Sequence, residues 1–280
     1  MITTNTDSPS VSKGDYVRED GLLVCGVCGE PKEMYLEIPF FPAPRKVPVL
    51  CRCESDKIRR EEEREKEQRH REYIERLRSD GISKTMYHDC RFSMCDNQDS
   101  DAFKKAQAFS DSFQEKIGKR EGMMFYGGVG TGKTFLASCV ANELIDRGYV
   151  VIMNTIQDLA AEMQEDYGQN REYVLNRVRD CDLLILDDFG VERDTEYMAE
   201  QVNQIVNERY NANKPLIVTT NLSPKFMRDS QGDPKQRSYD RLFEICQLVK
   251  MDGESRRLEI GRERARESIR QEKMQMGGTQ

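Results

Sequence analysis

The sequence Gly127-Gly128-Val129-Gly130-Thr131-Gly132-Lys133-Thr134 satisfies the pattern G-x-x-x-x-G-K-[ST] at each of its fixed positions. The glycines allow the backbone to turn several N–H groups inward around a phosphate, and Lys133 supplies a positive charge for the β and γ phosphates. The hydroxyl of Thr134 is a candidate ligand of Mg²⁺. The stretch therefore predicts a loop that binds the phosphates of a nucleotide.

The segments on either side of this loop have the periodicity that such a loop requires. Residues 123–126 form a short apolar run, as expected of a buried strand. Residues 135–145 place Leu136, Val140 and Leu144 on one face of a helix. A helix that begins at the loop directs the positive end of its dipole toward a bound anion, which strengthens the prediction of a phosphate site.

Further along the chain, apolar segments alternate with segments of helical periodicity. Four more short strands are predicted, at residues 149–153, 183–186, 216–218 and 246–251. The run at 183–186 shows no alternation with polar residues, as expected when both faces of a sheet are covered. Strands separated by helices indicate a parallel sheet with right-handed crossovers. We therefore predict an α/β fold of the P-loop NTPase type, with five parallel strands and helices on both faces.

Polar side chains follow two of these strands at their carboxyl ends. Asp187 and Asp188 follow the strand at 183–186, and Asn221 follows the next strand. Because the carboxyl ends of parallel strands line one crevice, we expect all three beside the phosphate loop. Asp187 would hold Mg²⁺ through its water shell, Asp188 would polarise an attacking water, and Asn221 would orient that water or contact the γ-phosphate. The alternatives are an acidic turn and, for Asn221, an Asx turn.

Two arginine clusters come later in the sequence. Arg237 and Arg241 are four residues apart and so share one face of a predicted helix, with Asp240 between them. Arg256 and Arg257 follow the last predicted strand. Guanidinium groups stabilise the charge that develops during phosphoryl transfer, which makes both clusters candidates for that role. The alternative for each cluster is an ordinary surface ion pair, which Arg241 would make with Asp240.

Four of the nine cysteines lie in two close pairs, Cys25-x-x-Cys28 and Cys51-x-Cys53, which 22 residues separate. Two such pairs of thiolates can complete a tetrahedral zinc site, and a segment too small for a core of its own needs such a metal. We therefore predict that these four thiolates bind Zn²⁺; the alternative is unrelated free thiols. The remaining cysteines are predicted to be structural thiols: Cys90, Cys95, Cys139, Cys181 and Cys246.

The composition of the chain limits the classes of protein to which it can belong. A net charge of −7 over 280 residues excludes a basic nucleic-acid coat, so any contact with DNA needs a local patch. No apolar run approaches the roughly 18 residues that cross a bilayer, and the N-terminus lacks the apolar core of a signal peptide. We therefore expect a cytoplasmic protein, without membrane association, whose cysteines are reduced.

Composition also divides the chain into five zones. We expect a disordered N-terminus at 1–20, a zinc-binding module at 21–53 and a charged helical linker at 54–80. A nucleotide-binding domain at 81–257 and a charged helix and tail at 258–280 follow. The linker has too few apolar residues for a long coiled coil, and its charges indicate a solvated helix; the alternative is a helix that binds a partner.

Several of these motifs together resemble those of a known family. The phosphate loop, the Leu-Asp-Asp strand end, Thr219-Thr220-Asn221 and a late Arg-x-x-x-Arg are similar to the AAA+ ATPases. More narrowly, residues 81–257 resemble the DnaC/DnaI helicase-loader and IstB transposition-helper clade. The narrower resemblance rests on Gly81-Ile82-Ser83, Tyr126 with the phosphate loop, Leu186-Asp187-Asp188-Phe189-Gly190 and Gly253-x-Ser255-x-Arg257.

This resemblance implies an ATPase that uses ATP and Mg²⁺ and acts in the initiation of DNA replication. It also implies a replicative hexameric helicase and single-stranded DNA as partners, and head-to-tail self-association through the ATP site. In this clade an arginine finger comes from the neighbouring subunit, which makes Arg237 the first candidate and Arg241 the second. Arg257 would contact nucleotide within its own subunit. Only 23 residues follow Arg257, too few for the three-helix lid of a full AAA+ module, and the clade is similarly lidless.

Many AAA+ proteins carry glutamate where this chain has Asp188. Aspartate is one methylene shorter, so we expect weak, partner-stimulated hydrolysis. Two other functions are compatible with the same residues: an IstB-like transposition helper that selects target DNA, and a non-hydrolysing adaptor for which ATP is an assembly ligand. The zinc module favours the loader over the helper, by resemblance. A small-molecule P-loop kinase is a weaker alternative, because it would need neither Asn221 nor the late arginines.

Overall fold

The structure is a computed structural model of the chain, and it describes residues 12, 14–39, 42–165, 170–253 and 255–256. The chain divides into two compact units, and the boundary between Glu72 and Tyr73 falls within one long helix. The four clustered cysteines belong to the first unit, and the phosphate loop belongs to the second. The predicted tail at 258–280 and residues 1–11 of the predicted disordered N-terminus lie outside the described residues.

The first unit contains two small antiparallel sheets of two strands each. Strand β1 (Tyr16–Val17) pairs with β2 (Leu23–Val24), and β3 (Glu33–Leu36) pairs with β4 (Arg45–Pro48). In the described part of this unit, the buried apolar side chains are Leu22, Leu23, Val24, Cys25 and Cys51. So small an apolar core provides little stabilisation by itself, which is the condition under which small domains depend on a metal.

The sequence prediction ended the disordered N-terminus at residue 20, but β1 lies within that zone. Asp15 explains the difference, because its carboxylate connects the segment before β1 to the rest of the unit. It accepts a hydrogen bond from the Gly26 N–H over 3.0 Å and pairs with Lys32 Nζ over 3.1 Å. Lys32 is itself buried, so this ion pair fixes the segment at a sheltered position.

One helix, α1 (Arg52–Gly81), follows β4 and continues into the second unit. Residues 57–73 are exposed throughout, because this stretch is almost wholly charged. Burial begins only in the last turns of the helix. There the guanidinium of Arg78 donates to Asn142 Oδ1 over 3.0 Å and pairs with Asp146, which fixes the end of α1 to a helix of the second unit.

The second unit alternates strands and helices around one sheet. Its strands are β5 (Gly122–Gly127), β6 (Val151–Thr155), β7 (Leu183–Phe189), β8 (Leu216–Thr220) and β9 (Cys246–Met251). Its helices are α2 (Asp101–Asp111), α3 (Phe113–Lys116), α4 (Lys133–Asp146), α5 (Ile156–Gln164), α6 (Arg171–Asp180), α7 (Glu196–Asn211), α8 (Pro224–Asp229) and α9 (Gln236–Ile245). Two short 3₁₀ turns, at Thr85–Tyr87 and Phe92–Met94, precede α2.

All neighbouring strands of this sheet are parallel, in the order β6-β7-β8-β5-β9. The side chains of β7 alternate between two apolar cores. Leu183 and Ile185 face the core formed with α2 and α4, whereas Leu184 and Leu186 face the core formed with α5, α6, α7 and α9. The predicted α/β fold with five parallel strands and helices on both faces is therefore confirmed.

The structure extends some predicted elements and adds others. The strand predicted at 183–186 continues to Phe189, and the one predicted at 216–218 continues to Thr220. Helix α2 was not predicted, although Ser100 caps it by accepting a hydrogen bond from the Phe103 N–H. None of the helices in the described ranges combines the length and the apolar character needed to cross a membrane.

Candidate functional sites

The loop at 127–134 connects β5 to α4 and is in contact with the chain that follows β9. Gly130 has a φ of +80°, and a Cβ atom there would lie 2.1 Å from Ser255 Oγ. The N–H of Arg256 donates to the Gly130 carbonyl oxygen over 3.0 Å. Position 130 therefore requires glycine for two reasons, its left-handed backbone and the close approach of Ser255.

Lys133 is the first residue of α4 and is buried beneath the loop. Its Nζ donates to the carbonyl oxygen of Gly127 over 3.1 Å and to that of Gly128 over 2.6 Å. The ammonium group is thus held within the turn of the loop, at the amino end of α4, where the helix dipole also favours an anion.

Asp187 lies at the end of β7 and is buried. Its Oδ1 accepts hydrogen bonds from Thr134 Oγ1 over 2.8 Å and from Thr219 Oγ1 over 2.6 Å. Burial raises the pKa of Asp187, and the two hydrogen bonds oppose that rise. Thr219 was not among the predicted site residues. It reaches this position because β8 lies between β7 and β5, an order that the sequence does not reveal.

Asp188 has a φ of +52°, which is uncommon for a residue with a Cβ atom. The pairing of β7 with β8 is irregular between Leu186 and Phe189, and the Asp188 N–H donates to Thr219 Oγ1 over 2.9 Å. This irregularity leaves Asp188 exposed although Asp187 beside it is buried. The two neighbouring carboxylates therefore have different surroundings and can do different chemistry.

A cleft of about 950 Å³ brings seven predicted site residues together: Val129, Gly130, Gly132, Lys133, Thr134, Asp188 and Asn221. Arg256, which precedes Arg257 in the sequence, also lines it. A second cleft of about 540 Å³ also borders the loop and shares Gly132, Phe135 and Arg256 with the first. Together the two clefts border the loop from Val129 to Thr134.

The oxygen atoms beside the loop fit a magnesium ion. Thr134 Oγ1 and Asp187 Oδ1 are 2.8 Å apart. Two adjacent ligands of an octahedral Mg²⁺, each at about 2.0–2.1 Å from the ion, lie about 2.9 Å from one another. Hydroxyl and carboxylate oxygens are also the hard ligands that this ion prefers. Thr134 is thus placed as a candidate ligand, and Asp187, to which its hydroxyl donates, lies close enough to hold the ion directly or, as predicted, through its water shell.

The two arginines of α9 have different surroundings. Arg237 lies in the first turn and is exposed, and none of the described residues forms a hydrogen bond or ion pair with it. Arg241 lies one turn later, with its guanidinium 5.3 Å from the centre of the Tyr210 ring. Asp240 accepts a hydrogen bond from Gln236 Nε2 instead of pairing with Arg241.

The direction of α9 places its two arginines at different distances from the carboxyl edge of the sheet. The helix runs toward the amino edge of the sheet, where β9 begins, so its first turn lies nearer the carboxyl edge and the phosphate loop. Neither arginine is among the residues that line the two clefts. Arg257 lies outside the described residues.

In the first unit, the four predicted zinc ligands come together. The Sγ atoms of Cys25, Cys28, Cys51 and Cys53 all lie within 4.8 Å of one another. The Sγ atom of Cys53 is 3.5 Å from that of Cys25 and 3.4 Å from that of Cys51. Four thiolates at about 2.3 Å from a tetrahedral zinc ion lie about 3.8 Å apart, so the cluster fits Zn²⁺ closely.

The electrostatics of the cluster agree with a bound cation. The N–H groups of Cys28 and Val27 donate to the sulfur of Cys25 and lower the pKa of that thiol to about 6. In contrast, hydrogen bonds with the thiols of Cys51 and Cys25 raise the pKa of Cys53. All four sulfurs can be ionised together only when a positive ion balances their charge, which Zn²⁺ would do.

The fold and the phosphate site together define an ATP-binding P-loop protein of the AAA+ class. The family model described as IstB-like ATP binding protein matches residues 55–264, which is three quarters of the chain. The chain therefore belongs to the family of IstB-like ATP-binding proteins.

Two curated relatives are similar over more than half of the chain. The replicative helicase loader DnaC of Escherichia coli (strain K12) is 30% identical over 164 residues, which cover 56% of this chain and 64% of that protein. The replicative helicase loader DnaI of Bacillus subtilis (strain 168) is 28% identical over 166 residues, which cover 55% of this chain and 53% of that protein. The chain thus matches less than two thirds of the length of either relative.

Two solved structures share the fold. A crystal structure of the DnaC helicase loader superimposes with a TM-score of 0.52 at 24% identity, and covers 60% of this chain and 100% of that one. A crystal structure of DnaI gives a TM-score of 0.53 at 23% identity, and covers 63% of this chain and 95% of that one. These likenesses support the architecture of the second unit.

Proposed function

We propose that this protein is an ATP-dependent loader of a replicative helicase, acting in the initiation of DNA replication. The observation that carries the proposal is the similarity to a protein named replicative helicase loader, which extends over 164 residues. The cleft supports it, because candidate residues for binding the triphosphate and for activating water line the same space. In this proposal ATP controls whether the protein holds or releases a ring-shaped hexameric helicase on single-stranded DNA.

In the proposed ATP site, the triphosphate follows the loop at 127–134, with Lys133 beside the β and γ phosphates. Thr134 and Asp187 hold Mg²⁺, and that ion neutralises charge on the phosphate oxygens when it is bound. The nucleoside occupies the second cleft, beside Phe135. This arrangement is supported by the 2.8 Å spacing of the two oxygen ligands and by the two clefts that border the loop.

For hydrolysis, Asp188 accepts a proton from the attacking water. The water oxygen forms a bond to the γ-phosphorus, and the bond from that phosphorus to the bridging oxygen breaks and leaves ADP. Asn221 orients the same water or contacts the γ-phosphate. The exposed position of Asp188, with its backbone fixed by Thr219, supports this role. Because the aspartate side chain is one methylene shorter than that of glutamate, we expect slow turnover that a partner stimulates.

We also propose that a second subunit completes the ATP site. Lys133, Asp187 and Asn221 account for one side of the triphosphate, and Arg237 would approach the other side from a neighbouring subunit. Its exposure at the start of α9 supports this role. Contacts of this head-to-tail kind build rings or open spirals. Each subunit then contacts the ATP of its neighbour, so assembly and nucleotide binding form one equilibrium.

The zinc module and α1 are the proposed contacts to the helicase, and the AAA+ domain is the proposed contact to single-stranded DNA. In this role the cysteine cluster holds one Zn²⁺ per chain. Several apolar side chains of the first unit are exposed, as expected of a protein-binding surface: Tyr16, Val17, Val27, Met34, Tyr35 and Leu36.

The test has two stages and uses the full-length protein. Affinity capture in ATP and in ADP identifies a ring helicase or a transposase as the partner. The captured helicase is then assayed for loading onto circular single-stranded DNA coated with single-stranded DNA-binding protein, with Lys133→Ala as the control. Loading by the wild type and not by the control supports the proposal. Loading that Lys133→Ala performs equally well contradicts it.

A transposition helper is the second candidate, and the description of the family as IstB-like favours it. A helper would be captured with a transposase and would direct insertion into target DNA in the presence of ATP. If the protein binds ATP and a partner but shows no turnover with either DNA or partner, the non-hydrolysing adaptor is supported instead.

A further inference from the structure

Glu192 is a buried acid that follows the end of β7, and the proposed ATP site does not use it. The side chain of Glu192 is only 2% exposed. Its Oε1 and Oε2 each accept a hydrogen bond from the Gly190 N–H over 3.0 Å. Gly190 comes two residues after Asp188 and has a φ of +92°. Glu192 therefore fixes the backbone just beyond the carboxylate that is proposed to activate water.

The partner of this acid lies at the start of α9. Lys235 is the residue that precedes the first turn, and its side chain is only 7% exposed. Its Nζ lies 4.0 Å from Glu192 Oε2 and 3.8 Å from Asp194 Oδ1. Both distances exceed hydrogen-bond length, so the ammonium group is attracted to the acids without being fixed to either. A contact of this kind can tighten or loosen by a small movement.

A second contact joins the same two segments. The rings of Phe189 and Tyr239 pack edge to face, with centroids 6.2 Å apart. The backbone N–H groups of Ser238 and Tyr239 both donate to the Lys235 carbonyl oxygen, over 2.9 and 3.1 Å. Lys235 and Tyr239 thus belong to one rigid turn, and Arg237 lies between them in the sequence.

The ion pair is not needed merely to attach α9. Asn203 of α7 already fixes the start of that helix, because it accepts from Ser238 Oγ over 2.6 Å and donates to the Pro234 carbonyl oxygen over 2.8 Å. Replacing a buried ion pair by apolar residues is often neutral or stabilising. Stability alone therefore does not explain a buried lysine opposite a buried glutamate at this place.

We propose that Glu192 and Lys235 are positioning residues. They couple the ATP site of a subunit to Arg237, which would contact the ATP of the neighbouring subunit. The inference rests on the proposed role of Arg237 in a shared site. A change at Asp188 moves the Gly190 N–H, the carboxylate of Glu192 follows that N–H, and Lys235 follows the carboxylate. The first turn of α9, with Arg237, then shifts as one body.

Hydrogen exchange tests this coupling in the full-length protein, at concentrations below those of assembly. Exchange at the backbone amides of residues 236–241 is compared in ADP and in a non-hydrolysable ATP analogue. The wild type is expected to show a difference between the two nucleotides. Glu192→Gln, which keeps an acceptor for the Gly190 N–H but removes the charge, is expected to lose that difference while its nucleotide affinity is unchanged.

Two further variants make the result specific. Lys235→Met keeps the aliphatic stem and should lose the difference too, so it gives the same information if Glu192→Gln does not fold. Asp194→Asn is the matched control: it removes an exposed acid beside the same lysine and should keep the difference. The inference is overturned if the wild type shows no nucleotide-dependent exchange at these amides, or if Glu192→Gln and Lys235→Met both retain it.

The same measurements separate this inference from the proposed function. A titration that shows no nucleotide binding refutes the ATP site itself. If nucleotide binds and exchange at α9 responds, but Arg237→Ala leaves ATP hydrolysis in assembled protein unchanged, then the shared site is wrong while the coupling within the subunit stands.

Discussion

At the end of β7, a single irregularity in the backbone gives two adjacent carboxylates different surroundings. Asp187 is buried, and hydroxyl groups of α4 and β8 donate to it, whereas Asp188 is exposed at the cleft. Burial of Asp187 raises its pKa and makes an unpaired charge unfavourable there. A divalent ion would reverse that effect, which supports the proposal that Asp187 holds the metal and Asp188 acts on the water.

Substitution at these positions should separate binding from hydrolysis. We expect Asp188→Asn to lower the rate of ATP hydrolysis by about 10²–10⁴-fold, with little change in ATP affinity, because the carboxylate acts on water and not on the phosphates. Lys133→Ala is the contrasting variant and should abolish ATP binding while the fold remains intact. Turnover, nucleotide titration and circular dichroism give the three measurements. Equal turnover of Asp188→Asn and wild type would contradict the assignment.

The candidate site was predictable where its residues are near one another in sequence. The loop at 127–134, the acidic pair and Asn221 each carry a local pattern; the structure brings Lys133, Asp188 and Asn221 to one cleft, and Asp187 contacts Thr134 of the same loop. Thr219 and Ser255 carry no such pattern. Thr219 contacts Asp187 because of the strand order, and Ser255 contacts Gly130 because the chain turns back after β9. Both contacts depend on the whole sheet, which a local reading of the sequence cannot supply.

At the scale of elements, α9 presents two arginines that have different contacts. Arg241 is stacked on Tyr210 of α7, and the hydroxyl of that tyrosine donates to Glu244, also on α9. Arg241 thus contributes to the attachment of α9 within its own subunit. Arg237, one turn earlier, has no such contact among the described residues.

Mixing two inactive variants should reveal a shared site. We expect Arg237→Ala to lower ATP hydrolysis by about 10³-fold, the scale of an arginine finger. Adding Lys133→Ala subunits, which keep an intact Arg237, should restore part of the activity. Arg241→Ala is the matched control and should affect α9 stability more than turnover. Failure of mixing to restore any activity, with both variants folded and able to assemble, would refute the shared site.

Helix α7 contains a buried arginine that forms no ion pair with an acidic side chain of the described residues. Arg209 is fully buried, and its guanidinium donates to the carbonyl oxygens of Cys181 over 2.8 Å, Asp182 over 2.8 Å and Pro215 over 2.7 Å. Burial lowers the pKa of Arg209. The side chain connects the end of α6 and the starts of β7 and β8 through their backbones.

Removing the guanidinium of Arg209 should make the second unit easier to unfold. Arg209→Met leaves several buried carbonyl groups without donors, so we expect a loss of about 3–5 kcal/mol in the free energy of unfolding. Arg179→Met is the control, because its side chain is largely exposed and should cost about 0–1 kcal/mol. Urea denaturation measures both values. A loss for Arg209→Met no greater than that of the control would contradict the role given to Arg209.

The elements themselves were predictable to different degrees. Runs such as 183–186 are wholly apolar, so the sequence predicted that these segments are strands and that there are five of them. The sequence did not predict where the strands end, because β7 and β8 continue into polar residues that pair across an irregular register. Helix α2 has an apolar face of Ala102, Phe103, Ala106 and Phe109, and it begins at the capping residue Ser100. The sequence therefore did contain a signal for this helix.

At the scale of the whole molecule, the two units have separate sources of stability. The second has two apolar cores on the faces of its sheet, whereas the first has few buried apolar side chains and a cysteine cluster. Loss of the metal should therefore disturb the first unit and leave the ATP site in the second unit unaffected.

Metal analysis and nucleotide titration test this separation. We expect about one zinc per chain, and we expect Cys53→Ser to lose the metal and to increase proteolysis within residues 14–53. Its ATP affinity should equal that of the wild type. Cys95→Ser, outside the cluster, is the control and should keep the metal. Wild-type protein without zinc, prepared in the absence of chelators, would contradict the prediction.

The strand order has a consequence for the synthesis of the protein. β5, which leads into the phosphate loop, pairs only with β8 and β9, and both leave the ribosome much later. The nascent chain therefore presents a complete phosphate-binding motif on a strand that has no neighbours yet. Until β8 and β9 emerge, the apolar residues of β5 have no strand to pair with and are accessible to chaperones and proteases. Translation must deliver almost the whole domain before nucleotide can protect any part of it.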